Sequence, residues 1–157
     1  MKKKFFSLIL TSLLLAACGM NMPDEVSAMN FWARAGMKDG NSAAYMILQN
    51  GTNVDDELIG ASSDAAQAVE LHLSQMNADG TMEMIQQQSI SLPAGGKTEL
   101  KPGSYHIMLI GLTRDLKAGD EISLTLKFKN RADLTLTVPV KDAEGMGGGG
   151  MDGHQMP

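Results

Sequence analysis

Between about Met29 and Val140 the apolar residues fall in short segments, each closed by a turn signal, and no segment sustains a 3.6-residue period. The segments are Phe31–Ala35, Ala44–Leu48, Glu57–Ala61, Ala68–Gln75, Thr81–Gln87, Ser89–Leu92, Thr98–Leu100, Tyr105–Ile110, Glu121–Lys129 and Leu134–Val140. Asn50-Gly51, Ser62-Ser63-Asp64, Asp79-Gly80, Pro93-Ala94-Gly95-Gly96, Lys101-Pro102-Gly103 and Lys117-Ala118-Gly119-Asp120 punctuate them. Strands at such spacing predict an all-β domain, an antiparallel sandwich or barrel, with Asn50-Gly51 as a hairpin turn rather than a glycosylation acceptor. A chain of 157 residues has room for one ordinary domain with its own core and not for two.

Alternation assigns faces, because successive strand side chains point to opposite sides. Val69, Leu71 and Leu73 share one side of their segment, while Glu70, His72 and Ser74 share the other. Tyr105, Ile107 and Leu109 alternate with His106, Met108 and Ile110, and Leu134, Leu136, Val138 and Val140 with Thr135, Thr137 and Pro139. His72, His106 and Met108 are thereby set on the face away from the core.

The ends of the chain read differently. Lys2, Lys3 and Lys4 precede an apolar run from Phe5 to Leu15, and Leu15-Ala16-Ala17-Cys18 closes it with small residues before a cysteine. The run is short for a spanning helix and fits an export signal over residues 1–17. The tetrapeptide resembles the bacterial lipobox, which implies cleavage before Cys18, lipidation of Cys18 and attachment on the periplasmic or extracytoplasmic side of a membrane. Residues 18–28 then form a lipidated tether, 29–142 the folded domain and 143–157 a flexible tail. Loss of three lysines with the signal would take the formal charge from −5 to −8. Such an acidic chain lacks the clustered cations that nucleic-acid binding requires.

Thirteen Met stand against one Cys. With that Cys assigned to lipid, the domain has no thiolate, which excludes a disulfide framework, an all-Cys zinc site and a CxxC redox pair. An electron-transfer cupredoxin is excluded too, since its site needs a Cys with two His. Gly145 to Gly150 spells GxGxxG without a following helix, so a dinucleotide loop fails on context. No nucleophile–base motif stands out, and turnover chemistry is not expected.

His106 and Met108 on one outward strand face, His72 on another, and Met84 on a third, with Met82 two residues before it, are the candidate donors. His106 and Met108 project from one strand face with Cα atoms about 6.5–7 Å apart. Two imidazoles with thioethers and no carboxylate form a set for a soft or borderline ion; zinc, calcium and magnesium prefer harder donors, and Cu(I) suits this set best. Met29, Met37 and Met46 read as packing or incidental residues, and Met76 and Met82 as reserve thioethers or cover for the barrel end.

His72-Leu73, ten residues, Met84, twenty-one residues and His106-Ile107-Met108 reproduce an H-(M)-x10-M-x21-H-x-M spacing. With Trp32-Ala33-Arg34-Ala35, Val69-Glu70-Leu71-His72, Leu92-Pro93-Ala94-Gly95-Gly96 and the run from Leu100 to Leu109, the chain resembles the periplasmic copper chaperones called PCuAC, over about Phe31 to Phe128. Leu73 stands where some members carry Met. The resemblance implies a cupredoxin-like β-barrel that binds Cu(I) through His72, Met84, His106 and Met108. It also implies delivery to the CuA site of cytochrome c oxidase, on subunit II, often alongside a Sco-type thiol protein. Met82, with Met146, Met151, His154 and Met156 of the tail, forms a possible accessory set, with Cu(II) as a candidate for His154. The competing expectations are a lipid-anchored β-sandwich scaffold whose Met residues merely pack, and a copper-sequestering protein.

Overall fold

The computed structural model describes residues 25–142; Cys18 and the tail residues Met146, Met151, His154 and Met156 lie outside them. The described chain is all-β and a single domain, ten strands without a helix. They are β1 (Val26–Arg34), β2 (Ser42–Asn50), β3 (Asp56–Ser63), β4 (Ala66–Met76), β5 (Met82–Gln87), β6 (Ile90–Leu92), β7 (Lys97–Leu100), β8 (Tyr105–Leu112), β9 (Glu121–Phe128) and β10 (Leu134–Lys141). The hydrogen-bonded order is β5-β4-β8-β2-β1-β10-β9-β3-β6, with β7 pairing the far half of β2. Two antiparallel groups are thus stitched together, and the stitch between β1 and β10 is parallel (Ala33 with Val140, Arg34 with Lys141).

Alternation builds the core as the sequence requires. In β9, Ile122, Leu124, Leu126 and Phe128 are buried while Glu121, Ser123 and Lys127 are exposed. Leu71, Ile107 and Leu109 of β4 and β8 share one buried cluster with them, together with Met46 and Leu48 of β2 and Leu58 of β3, the partner strand of β9. Each such side chain contributes about 1.5–3 kcal/mol on burial. Met46 is therefore a packing methionine, whereas Met37 is exposed.

Three details depart from the local reading. β1 starts at Val26 rather than Phe31, so that Val26 to Ala28, read as tether, pair with Asn50 to Leu48 of β2. Asn50-Gly51 is not a hairpin turn, because β2 and β3 belong to different groups and the chain crosses between them there. Asn50 is buried: its amide donates to the carbonyls of Val54 and Leu92, both at 2.9 Å, and its oxygen accepts from the Thr52 hydroxyl at 2.8 Å. The side chain thus supplies the bonds that the crossing backbone lacks.

The third is a bulge in β1. Met29 is opposite Ile47, yet Trp32 rather than Phe31 is opposite Tyr45. Asn30 takes a positive φ of 53° there, a conformation Asn tolerates better than most residues. The extra residue changes which side chains face outward, and Trp32 lands on the outer face against Tyr45, with ring centroids 4.7 Å apart.

The far end is pinned by Asp56 at the start of β3. Its buried carboxylate accepts from the Glu57 amide at 2.8 Å, the Asn130 amide at 3.1 Å and the Arg131 guanidinium, tying the β9–β10 turn down. Burial alone would raise its pKa, but the Arg131 side chain and the two amides outweigh it and hold the group below 3.8. A depressed carboxylate contributes stability that is complete above the unfolded pKa and is lost as pH falls through the folded one. Asp56→Ala should cost about 3 kcal/mol, since it strands Arg131 and two amides. Urea denaturation at neutral pH checks this, and the difference between the two proteins should shrink in strong acid.

Candidate metal site

The outer face of β5, β4 and β8 receives the donors singled out in the sequence. In the β4–β8 ladder Leu71 pairs with Ile107 on the core side and His72 pairs with His106 on the outer side. Direct cross-strand partners have Cβ atoms about 4.5–5.5 Å apart, and the two imidazole centroids lie 5.8 Å apart at 48°. Beyond His106 the row continues through Tyr45, 6.4 Å away, to Trp32.

The thioethers flank this row. Met108 is opposite Glu70, one step along β8 from the His pair and diagonal to His72. Met84 of β5 is opposite Ser74, while Gln86 is opposite His72, so Met84 is diagonal to His72 from the other side. His72 and His106 are therefore brought together, with Met84 and Met108 set on either side. To reach the imidazoles the two thioethers must lean along their strands toward the His pair, Met84 toward Gln86 and Met108 toward His106. Met82 is on the same outer face, opposite Met76 at the end of the hairpin.

Burial across the face is uneven. His106 is 4% exposed, Met108 is half-buried and Met84 is 61% exposed. The expectation of outward imidazoles thus holds for direction, but His106 is covered rather than solvated. Local alternation gives the face of a side chain and says nothing of the aromatic row that lies beside it.

Hydrogen bonds fix the ring nitrogens. His106 Nδ1 donates to the Ser104 carbonyl at 3.0 Å, a carbonyl that also accepts from the Ser74 amide at 3.1 Å, so in the neutral ring Nε2 carries the lone pair. His72 Nε2 donates to the Glu70 carboxylate at 2.8 Å, which leaves Nδ1 as the lone-pair nitrogen of the neutral ring. That Nδ1 is buried and has no hydrogen-bond partner. A buried polar atom left without a partner is costly. A carboxylate behind an imidazole is the support that metal-ligating histidines commonly have. Sequence reasoning passed over Glu70, although its position two residues before His72 on the same face was visible. Among the described residues no group of three or more His, Cys, Asp or Glu side chains gathers in a way that could hold a metal ion.

Burial lowers the pKa of His106 below 6.5; the Ser104 carbonyl opposes this, while His72 and Arg34 push it further down. The native state thus prefers the neutral ring. Its contribution to stability is complete above the unfolded pKa and is lost as pH falls toward the folded one. The ring protons of His106 in the metal-free protein should therefore titrate by NMR with a midpoint below 6.5. A midpoint at or above that value would contradict the burial described.

Fold and outer face together define a small all-β domain that offers nitrogen and thioether donors from its strands. The chain belongs to the family described as "Putative lipoprotein LpqE-like", whose model matches residues 26–140. It is 33% identical over 142 residues to "Putative lipoprotein Lxx21020" of Leifsonia xyli subsp. xyli, spanning 83% of this chain and 84% of that one. Among solved structures it resembles the copper-bound PCuAC domain from PmoF2, with a TM-score of 0.63 and 23% identity over 75% of this chain and 93% of that one. It also resembles the solution structure of Cu(I)-DR1885 from Deinococcus radiodurans, with a TM-score of 0.57 and 27% identity over 82% and 85% of the two chains. The fold is that of the cupredoxin-like PCuAC domains.

Proposed function

We propose that this protein is an extracytoplasmic copper chaperone that holds Cu(I) through His72, Met84, His106 and Met108. The buried, partnerless Nδ1 of His72, in a ring paired across the strands with His106, carries the reading. In its neutral form each imidazole keeps one lone-pair nitrogen, and the only other donors the sequence pattern supplies are soft. Likeness to a Cu(I)-bound protein at 27% identity supports the same cargo. Neutral ligands leave the ion its single charge, and thioethers form no disulfides, so the site suits an oxidising compartment.

The uneven burial suits transfer. A covered imidazole and an exposed Met84 give the ion a closed side and an open side, so a receiving protein can displace the thioether first and the imidazoles afterwards. The role is carriage rather than turnover. The family and the Cys18 lipobox support anchoring by lipid at the extracytoplasmic membrane surface. The destination is a copper enzyme, the CuA site of cytochrome c oxidase subunit II, with a Sco-type thiol protein as companion; this rests on the resemblance to PCuAC chaperones. Met146, Met151, His154 and Met156 form an accessory arm for a second copper, with Cu(II) at His154.

Competitive Cu(I) titration against a chromophoric chelator tests the main site. Met84→Leu and His106→Ala should each weaken binding by at least about 10-fold, and Glu70→Gln, which alters only the support behind His72, by about 10-fold. Native protein that binds weakly, or variants that bind as well as native, would favour a scaffold whose methionines merely pack. Removal of residues 145–157 should lower the copper stoichiometry without changing affinity at the main site, as read by metal analysis after dialysis. Mixing the loaded protein with a copper-free CuA domain and following metal gain tests the destination. Retention of copper under those conditions would favour sequestration.

A further inference from the structure

Three thioethers at the end of the β4–β5 hairpin are not explained by packing. Met76, Met82 and Met84 are 67%, 53% and 61% exposed, and all lie on the outer face. Met76 is the direct cross-strand partner of Met82, and Met84 follows Met82 on the same side of β5. Their neighbours Gln75 and Glu83 form the intervening pair and belong to the opposite face, so no carboxylate stands among the three on this side.

The turn fixes this arrangement. The Asn77 amide donates to the Thr81 carbonyl at 2.8 Å, and the Thr81 amide and hydroxyl donate to Asp79 at 2.9 and 2.6 Å. Gly80 supplies the left-handed residue, with φ of 83°, and its amide returns to the Asn77 carbonyl. The closed turn holds Met76 and Met82 in register, with Cβ atoms about 4.5–5.5 Å apart. The turn fixes the backbone alone, so the exposed thioethers stay free to swing onto an ion and are ordered only when they close on it.

We propose that Met76, Met82 and Met84 form an entry site for Cu(I), from which the ion passes to the imidazole pair while Met84 remains bound. The proposal rests on the chaperone reading and adds the route by which the site is loaded. Three neutral thioethers select a soft monovalent cation over Zn2+, Ca2+ or Mg2+. Met84 belongs to both sets, since it is two residues from Met82 and diagonal to His72. The step exchanges Cu–S bonds to Met76 and Met82 for Cu–N bonds to His72 and His106 and a Cu–S bond to Met108. The ion keeps its oxidation state, and no proton need move if both imidazoles are neutral.

The test is Ag(I), a redox-inert stand-in for Cu(I), titrated into full-length protein labelled on its methionine methyl groups and followed by NMR. In the double variant His72→Ala/His106→Ala, the methyl signals of Met76, Met82 and Met84 should still shift. The variant Met76→Leu/Met82→Leu should keep the native equilibrium Cu(I) affinity and lose loading rate from a Cu(I)–chelator complex in stopped flow. Silent Met76 and Met82 methyls, or loading as fast as native, would overturn the entry site. Signals from Met146, Met151 and Met156 report separately on the tail. Failure of the chaperone reading is distinct: it shows as an unshifted Met108 methyl signal in the native protein.

Discussion

The register between β4 and β8 is the constraint on which the rest depends. It sets Leu71 beside Ile107 in the core and, one residue along, His72 beside His106 on the outer face. A slip of one residue would turn every side chain of β4 to the wrong side. Leu71, 3% exposed, would leave the core and His72 would enter it. The hydrophobic energy that fixes the strand is therefore the same energy that brings two imidazoles side by side on the outer face. No separate interaction between the histidines is needed to assemble them.

Around that pair, polar bonds orient what packing has brought together. Ser104 offers one carbonyl to both the Ser74 amide and His106 Nδ1, and Glu70 takes His72 Nε2. Tyr45 and Trp32 extend the row on the far side of His106. The result is a face closed toward β2 and open toward β5. It presents a covered nitrogen on one flank and exposed sulfur on the other.

Much of this was legible in the chain because the alternation is sharp. β4, β5, β8, β9 and β10 fall within a residue or two of the expected segments, and the separation of Leu71 from His72 follows from period two alone. What escaped was non-local. Val26-Ser27-Ala28 alternates over only three residues, too few to mark a strand locally, and becomes strand by pairing with β2. The parallel contact between β1 and β10 joins the two ends of the domain, which no local window reports. Asn30 was the visible sign of the bulge, since Asn tolerates positive φ, but its effect on Trp32 required the partner strand. The covering of His106 likewise depends on a row assembled from separate strands.

Among the described strands β5 has one neighbour, β4, and its other side is a free edge. An inner strand is held by ladders on both flanks, so moving it breaks two sets of hydrogen bonds; moving β5 strains one. The thioether it carries can therefore be withdrawn at the expense of a single hairpin, with the core left closed. The barrel fixes the two imidazoles, while the thioether of Met84 sits on the more easily moved rim. Under the proposed role, strength of holding and speed of letting go fall to different parts of the molecule, and either can change in evolution without the other.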